Sequence, residues 1–299
     1  MRGTVDGFNY GIIIPITAYL VACLGSGLGL RCVARTMHHE RGWRPGWLAL
    51  GAASLGCGIW SMHFIAMAGF SVVGTEIAYD VDLTLLSLLV AVVVVGVGVF
   101  IVGYSKASPL VIGMAGTLTG LGVVSMHYMG MSAMHLHGNA ALDTFTVLLS
   151  VVVAVTASTT ALWAVVTVRR FVASVGASLV MAAAVTGMHY TGMAAVSVQL
   201  HAPDPNSRNP IPLDGEPLFS LLFPMLIGPG VFFLIATVTV MFDPVLIVGR
   251  RDWDQPGARA AGASEPPRSP ASQEYDLFGS PIDRSRGGDG TLTPVAARE

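Results

Sequence analysis

At 299 residues the chain is long enough for one large domain or two small ones, yet 53% of it is hydrophobic and only 11% charged. A soluble domain carries roughly a quarter charged residues, so these charges are too few to cover an aqueous surface. The formal net charge of -2 is dispersed over short loops, and no basic stripe with interleaved aromatics exists to bind nucleic acid.

A membrane helix takes about 20 predominantly apolar residues. Seven stretches qualify: 8–30, 47–70, 83–104, 109–131, 143–168, 171–198 and 218–242. Met1 to Tyr10 hold one Arg and one Asp without a cleavage pattern, so the first stretch reads as a retained helix and not as a removed leader. Gly25, Gly27 and Gly29, and later Gly96 and Gly98, read as small residues that let helices approach closely.

The loops alternate in charge. One set holds Arg31, Arg35, Arg41, Arg44, then Lys106, Arg169, Arg170, Arg250 and Arg251. The other holds Arg2 and Arg208 among Glu76, Asp80, Asp82, Asp143, Asp204, Asp214 and Glu216. Basic loops stay cytoplasmic, which places the N-terminus outside and the C-terminus inside. Asp82, Asp143 and Asp214 sit at the outer starts of odd-numbered helices and read as caps at the positive end of the helix dipole. Beyond residue 251 the chain is rich in Pro, Gly, Ser, Ala and Arg, a composition expected to be disordered. The predicted fold is therefore all-α: a polytopic membrane bundle of about seven helices. It divides into a six-helix domain at 8–200, an outer loop with a seventh helix at 201–250, and a cytoplasmic tail at 251–299.

A threefold repeat runs through the first six helices. It reads Ser-Met-His-Phe-Ile-Ala-Met at 61–67, Ser-Met-His-Tyr-Met-Gly-Met at 125–131 and Gly-Met-His-Tyr-Thr-Gly-Met at 187–193. Its histidines are 64 and then 62 residues apart, one two-helix unit each time. His63 falls 16 residues after Trp47, His127 18 after Pro109 and His189 18 after Phe171. At a rise of 1.5 Å per residue all three lie roughly 24–27 Å from the cytoplasmic edge, one layer just beneath the outer surface. His63 and Met67, His127 and Met131, and His189 and Met193 share helix faces at a spacing of four. Met62, Met126 and Met188 flank those faces.

Ionisable residues inside a membrane are costly and usually functional. One such histidine is equally well explained by an interhelical hydrogen bond; three at one depth favour a site. Imidazole suits Cu, Zn, Fe and Ni, and thioether selects soft ions, Cu(I) above all, so copper fits this donor set best. Structural zinc sites prefer thiolate and imidazole, and Cys23, Cys32 and Cys57 form no cluster in sequence; they read as buried or juxtamembrane thiols. Haem remains open, since His and Met serve as its axial ligands. A methionine stripe is also ordinary packing, and Met129 and Met134 read that way. His135, His137 and His201 could pass metal inward, though solvated loop histidines are the plainer reading; His38 and His39 lie in a cytoplasmic loop.

These motifs resemble the MHYT domain family of bacterial integral membrane sensors, named for the Met-His-Tyr-Thr run that stands intact at 188–191. The resemblance covers about residues 8–200. It implies a domain that binds copper and senses oxygen, carbon monoxide or nitric oxide, with Met62, His63, Met67, Met126, His127, Met131, Met188, His189 and Met193 at the metal. Phe64 replaces the motif tyrosine. Family members are often fused to cyclic-dinucleotide enzymes or histidine kinases, and none is recognisable here, so signalling would pass through a cytoplasmic partner or the tail. The expectation is a multi-pass cell-membrane sensor, not an enzyme, bound by lipid and by a metal ion or diatomic gas. A copper carrier and a haem oxidase are the competing readings. No acidic residue lies near the midplane of the first six helices, which argues against ion translocation.

Overall fold

The computed structural model describes residues 2–3, 5–6, 11–38, 44–73, 75–106, 108–167, 171–200 and 215–242. Seven helices are long and apolar enough to cross a membrane. They are α1 (Ile13–His38), α2 (Arg44–Met67), α3 (Val81–Tyr104), α4 (Pro109–Ser132), α5 (Thr144–Thr167), α6 (Phe171–Ala194) and α7 (Leu218–Met241). The protein is an all-α, multi-pass membrane bundle. Residues 243–299, which include the expected tail, and the loop at 201–214 lie outside the described residues.

Six helices close into a ring. Each of α1 to α6 packs on the next, α6 returns to α1, and α2 also touches α4 and α6. The seventh, α7, packs on α1 and α2 and keeps Pro224 and Pro229 inside its span, as membrane helices allow. Large side chains such as Leu89, Val93, Leu148, Val152, Phe223 and Ile227 point outward and are exposed, the arrangement a lipid solvent favours.

Close approach at glycine sets the crossings. A Cβ on Gly25 would stand 2.6 Å from the Gly58 Cα, one on Gly56 2.7 Å from the Val92 Cα, and one on Gly120 2.6 Å from the Val155 Cα. The expected roles of Gly27 and Gly96 do not hold: their nearest neighbours are side-chain atoms at 3.8 and 3.6 Å, ordinary contact.

The helix boundaries correct the sequence reading at two places. The first helix runs over Ile13–His38 instead of 8–30, because its basic end extends past the apolar run and Arg35 stacks over the Trp47 ring at 4.3 Å. The sixth stops at Ala194, and Val196–Leu200 leaves as a strand, following an apolar/polar alternation. Asp80 is the N-cap of α3, accepting the Leu83 N–H at 2.8 Å, and Asp82 sits in the first turn. Asp143 caps α5, accepting from the Thr146 N–H and hydroxyl at 2.9 and 2.6 Å; these bonds hold its carboxyl below the usual value. Asp214 lies outside the described residues.

The loops at the histidine end pair as short antiparallel strands: β1 (Arg2–Gly3), β2 (Val5–Asp6), β3 (Ser71–Val72), β4 (Ile77–Tyr79), β5 (Met134–Leu136), β6 (Gly138–Leu142), β7 (Val196–Leu200) and β8 (Glu216–Pro217). Three small sheets follow, in the orders β1-β7-β6, β2-β3 and β5-β4-β8. Each loop after a motif helix is thereby tied to the next: Tyr79 opposite Met134, and Ala141 opposite Ser197.

The glycine crossings carry a direct test. Gly58→Val should lower the unfolding free energy by about 1–3 kcal/mol through overpacking, read as a lower melting midpoint in detergent. Gly27→Val should fall well short of that loss.

Candidate metal centre

Every motif histidine lies near the C-terminal end of its helix, where the two-helix period places it beneath the strand pairs. His63, His127 and His189 are at most 1% exposed, and ligand atoms from the three lie within 4.8 Å of one another. The His63 Nδ1 is 3.0 Å from the His189 Nδ1 and 3.2 Å from the His127 Nδ1. The rings stand nearly perpendicular, with centroids 4.9, 5.0 and 5.1 Å apart. The structure thus unites the three residues singled out by the repeat.

Proton counting makes this arrangement unusual. A neutral imidazole has one N–H and one in-plane lone pair. The His63 Nδ1 faces two nitrogens, and it can donate to one or accept from one, not both. One of the two contacts is left without a proper hydrogen bond. The far nitrogens of His63 and His127 (Nε2) are also buried without a partner, at a cost of about 1–3 kcal/mol each. A cation between the three Nδ1 lone pairs would give each Nδ1 a partner, with the ring proton of each imidazole on Nε2. Metal–nitrogen bonds of about 2.0–2.1 Å require N···N separations of about 3.3–3.6 Å, so the His63 Nδ1 needs to part from each of the other two by only a few tenths of an ångström.

All six motif methionines, Met62, Met67, Met126, Met131, Met188 and Met193, are buried in the main core cluster. Met134 joins the same cluster, while Met129 is half-buried. Cys57 packs instead against the smaller cluster beside α7. His135 pairs opposite Ala78 in the strand layer, the His137 N–H donates to the Thr75 hydroxyl at 3.2 Å, and both are half-buried. His39 and His201 lie outside the described residues, as does the side chain of His38.

The aromatic after each histidine rests edge-on against it, with centroids 4.7, 4.9 and 5.1 Å away for Phe64, Tyr128 and Tyr190. The Tyr128 hydroxyl points to α5 and bonds to the Ser150 hydroxyl at 3.0 Å, so it ties α4 to α5. In the first repeat Phe64 cannot do this. Trp60, one turn earlier, donates its indole N–H to the Ser87 hydroxyl at 3.0 Å and ties α2 to α3 instead. Ser87 and Ser150 are 63 residues apart, one repeat, and that spacing was the available signal for both ties.

Below the histidines the ring interior is apolar. A cavity of about 30 Å³ lies there, enclosed by Leu55, Ile59, Val95, Val99, Leu162 and Val185 with Thr119 among its few polar neighbours. Larger hollows of about 410 and 490 Å³ lie at α4–α5 and α5–α6 and do not include the motif histidines.

Residues 56–115 and 120–178 each match the family MHYT, described as a bacterial signalling protein N terminal repeat. Among curated proteins, the bifunctional diguanylate cyclase/cyclic di-GMP phosphodiesterase MucR of Pseudomonas aeruginosa is 36% identical over 197 residues, 64% of this chain and 29% of that protein. The cyclic di-GMP phosphodiesterase NbdA of the same organism is 35% identical over 216 residues, 67% of this chain and 27% of its own length. The signaling protein YkoW of Bacillus subtilis is 27% identical over 211 residues, 67% of this chain and 26% of that protein. The chain therefore spans under a third of the length of these relatives. No solved structure matches. The third repeat, carrying His189, lies beyond the two matched segments yet completes the trio in space. The chain belongs to the MHYT family of bacterial signalling proteins.

Proposed function

We propose that this protein is a membrane sensor in which His63, His127 and His189 hold a copper ion near the outer face, and that its ligation state is read at the cytoplasmic side. The single observation behind this reading is the meeting of three buried imidazoles at which the His63 Nδ1 faces two ring nitrogens and can bond to only one of them. Copper would supply a soft centre able to take a diatomic ligand such as oxygen, carbon monoxide or nitric oxide. Buried thioethers in the same motifs would favour Cu(I) over harder ions, with Met62, Met67, Met126, Met131, Met188 and Met193 as the candidate sulfur donors.

The chain's own residues supply the remainder. The rings sit on three different helices, so any change in ring spacing bears on how α2, α4 and α6 pack. A ligand shifts that packing only by its difference in affinity for the two arrangements. The relatives named for cyclic di-GMP turnover suggest the recipient: a cytoplasmic partner in that signalling system.

Two alternatives fare less well. Haem needs a cavity of several hundred cubic ångströms, and the void beneath the imidazoles is about 30 Å³. A copper carrier needs a polar path below the histidines, and apolar side chains fill that space.

Metal analysis of the purified chain should find about one copper per chain and an absorption spectrum without a haem band. His63→Ala, His127→Ala and His189→Ala should each lose most of the metal; equal copper in all four proteins contradicts the site. Tyr128→Phe should keep its copper while losing about 1 kcal/mol of stability with the Ser150 bond; loss of copper would make the phenol a ligand. Sealed vesicles holding the protein should pass no more copper than empty ones, and measurable flux would favour the carrier.

A further inference from the structure

The sixth position of each seven-residue motif is always small: Ala66, Gly130 and Gly192. Helix packing alone does not require this, because small residues elsewhere on these helices face open space. Gly187, in the third motif, is exposed, and a Cβ there would meet nothing within 4 Å.

Gly130 and Gly192 are different. A Cβ on Gly130 would stand 2.5 Å from the Nε2 of His63 and 3.1 Å from its Cδ2. A Cβ on Gly192 would collide with the Nε2 of His127 and stand 3.0 Å from its Cδ2. Each glycine therefore presses its bare backbone against the far edge of the imidazole from the preceding repeat. Those two Nε2 atoms are also the buried ring nitrogens without a hydrogen-bond partner. The order is cyclic: α4 backs the ring from α2, and α6 backs the ring from α4. Ala66 holds the same motif position on α2, is 1% exposed, and lies on a helix that packs on α6, the helix of His189.

We infer that Ala66, Gly130 and Gly192 are positioning residues: each backs the imidazole of the preceding repeat, and together they fix all three rings with Nδ1 toward the bundle axis. A ring carries two nitrogens on different edges, and rotation about its side-chain torsions would exchange them. The backbone wall blocks the outward swing, leaving the Nδ1 edge facing inward. A larger residue would drive the ring off its position. The small residue thus selects which nitrogen the site presents, a task otherwise done by a hydrogen bond from outside the ligand shell. Only the choice of ligand rests on the metal reading; the wall itself stands without any metal.

The test is made on the full chain in detergent micelles with 15N-labelled histidine, recording imidazole nitrogen signals without metal. Gly130→Ala should shift the His63 signals first and Gly192→Ala those of His127, while Gly187→Ala on the same helix as Gly192 leaves all three rings unchanged. Ala66→Gly removes atoms, so it reads the His189 ring even where crowding unfolds the other variants. Unchanged imidazole signals in folded Gly130→Ala and Gly192→Ala, or an unmoved His189 in Ala66→Gly, overturn the inference. In a second arm, Cu(I) affinity measured against a chromophoric chelator should fall about tenfold or more in Gly130→Ala and Gly192→Ala and hold in Gly187→Ala. Wild-type protein that takes no copper would defeat the metal reading alone, since the nitrogen signals still judge the wall.

Discussion

Three imidazoles meet in the buried core so that the Nδ1 of His63 faces two ring nitrogens and can bond to only one of them. That mismatch organises the molecule. Buried, unpartnered polar atoms are normally eliminated, yet here the helix bundle tolerates several in one layer. The ring of six helices, crossing at Gly25 against Gly58, Gly56 against Val92 and Gly120 against Val155, brings the three motif helices close enough for the contacts of 3.0 and 3.2 Å to form. Side-chain ties from Trp60 to Ser87 and from Tyr128 to Ser150 anchor two of those helices to their neighbours at the same level. Strand pairs between successive loops close the end above.

Much of this was legible in the sequence because its causes are local or periodic. Seven apolar runs account for the seven helices, and a repeat of about 63 residues accounts for three histidines at one depth. Other features depend on partners far along the chain. The strand at Val196–Leu200 follows a local alternation but needs its partner at Gly138–Leu142 to form, so a continuous apolar reading absorbed it into the sixth helix. Asp80 outcompetes Asp82 as the cap because its backbone lies just before the first turn, a boundary that composition does not mark. Gly27 and Gly96 look identical to Gly25 in sequence, and only the helix orientation separates a tight crossing point from an ordinary contact.

The substitution of Phe64 for the motif tyrosine shows how a departure can be misread without coordinates. It looks like the loss of a hydroxyl from the site. In the second repeat, however, that hydroxyl points away from the histidines to a serine on the next helix, and in the first repeat Trp60 reaches the equivalent serine from one turn earlier. The tie to the next helix is therefore made by Tyr128 in the second repeat and by Trp60 in the first, and the imidazoles remain the common chemical element. The interior beneath them is apolar and nearly full, which suits a site that reports its occupancy through helix packing better than one that releases its ion across the membrane.

The central claim is that one ion is held by three imidazoles from three helices. X-ray absorption of the copper-loaded full chain tests it most directly. The account predicts close to three imidazole nitrogens per copper at about 2.0 Å, with ring scattering beyond them, whether or not sulfur is also present. A copper shell containing one imidazole or none would contradict it.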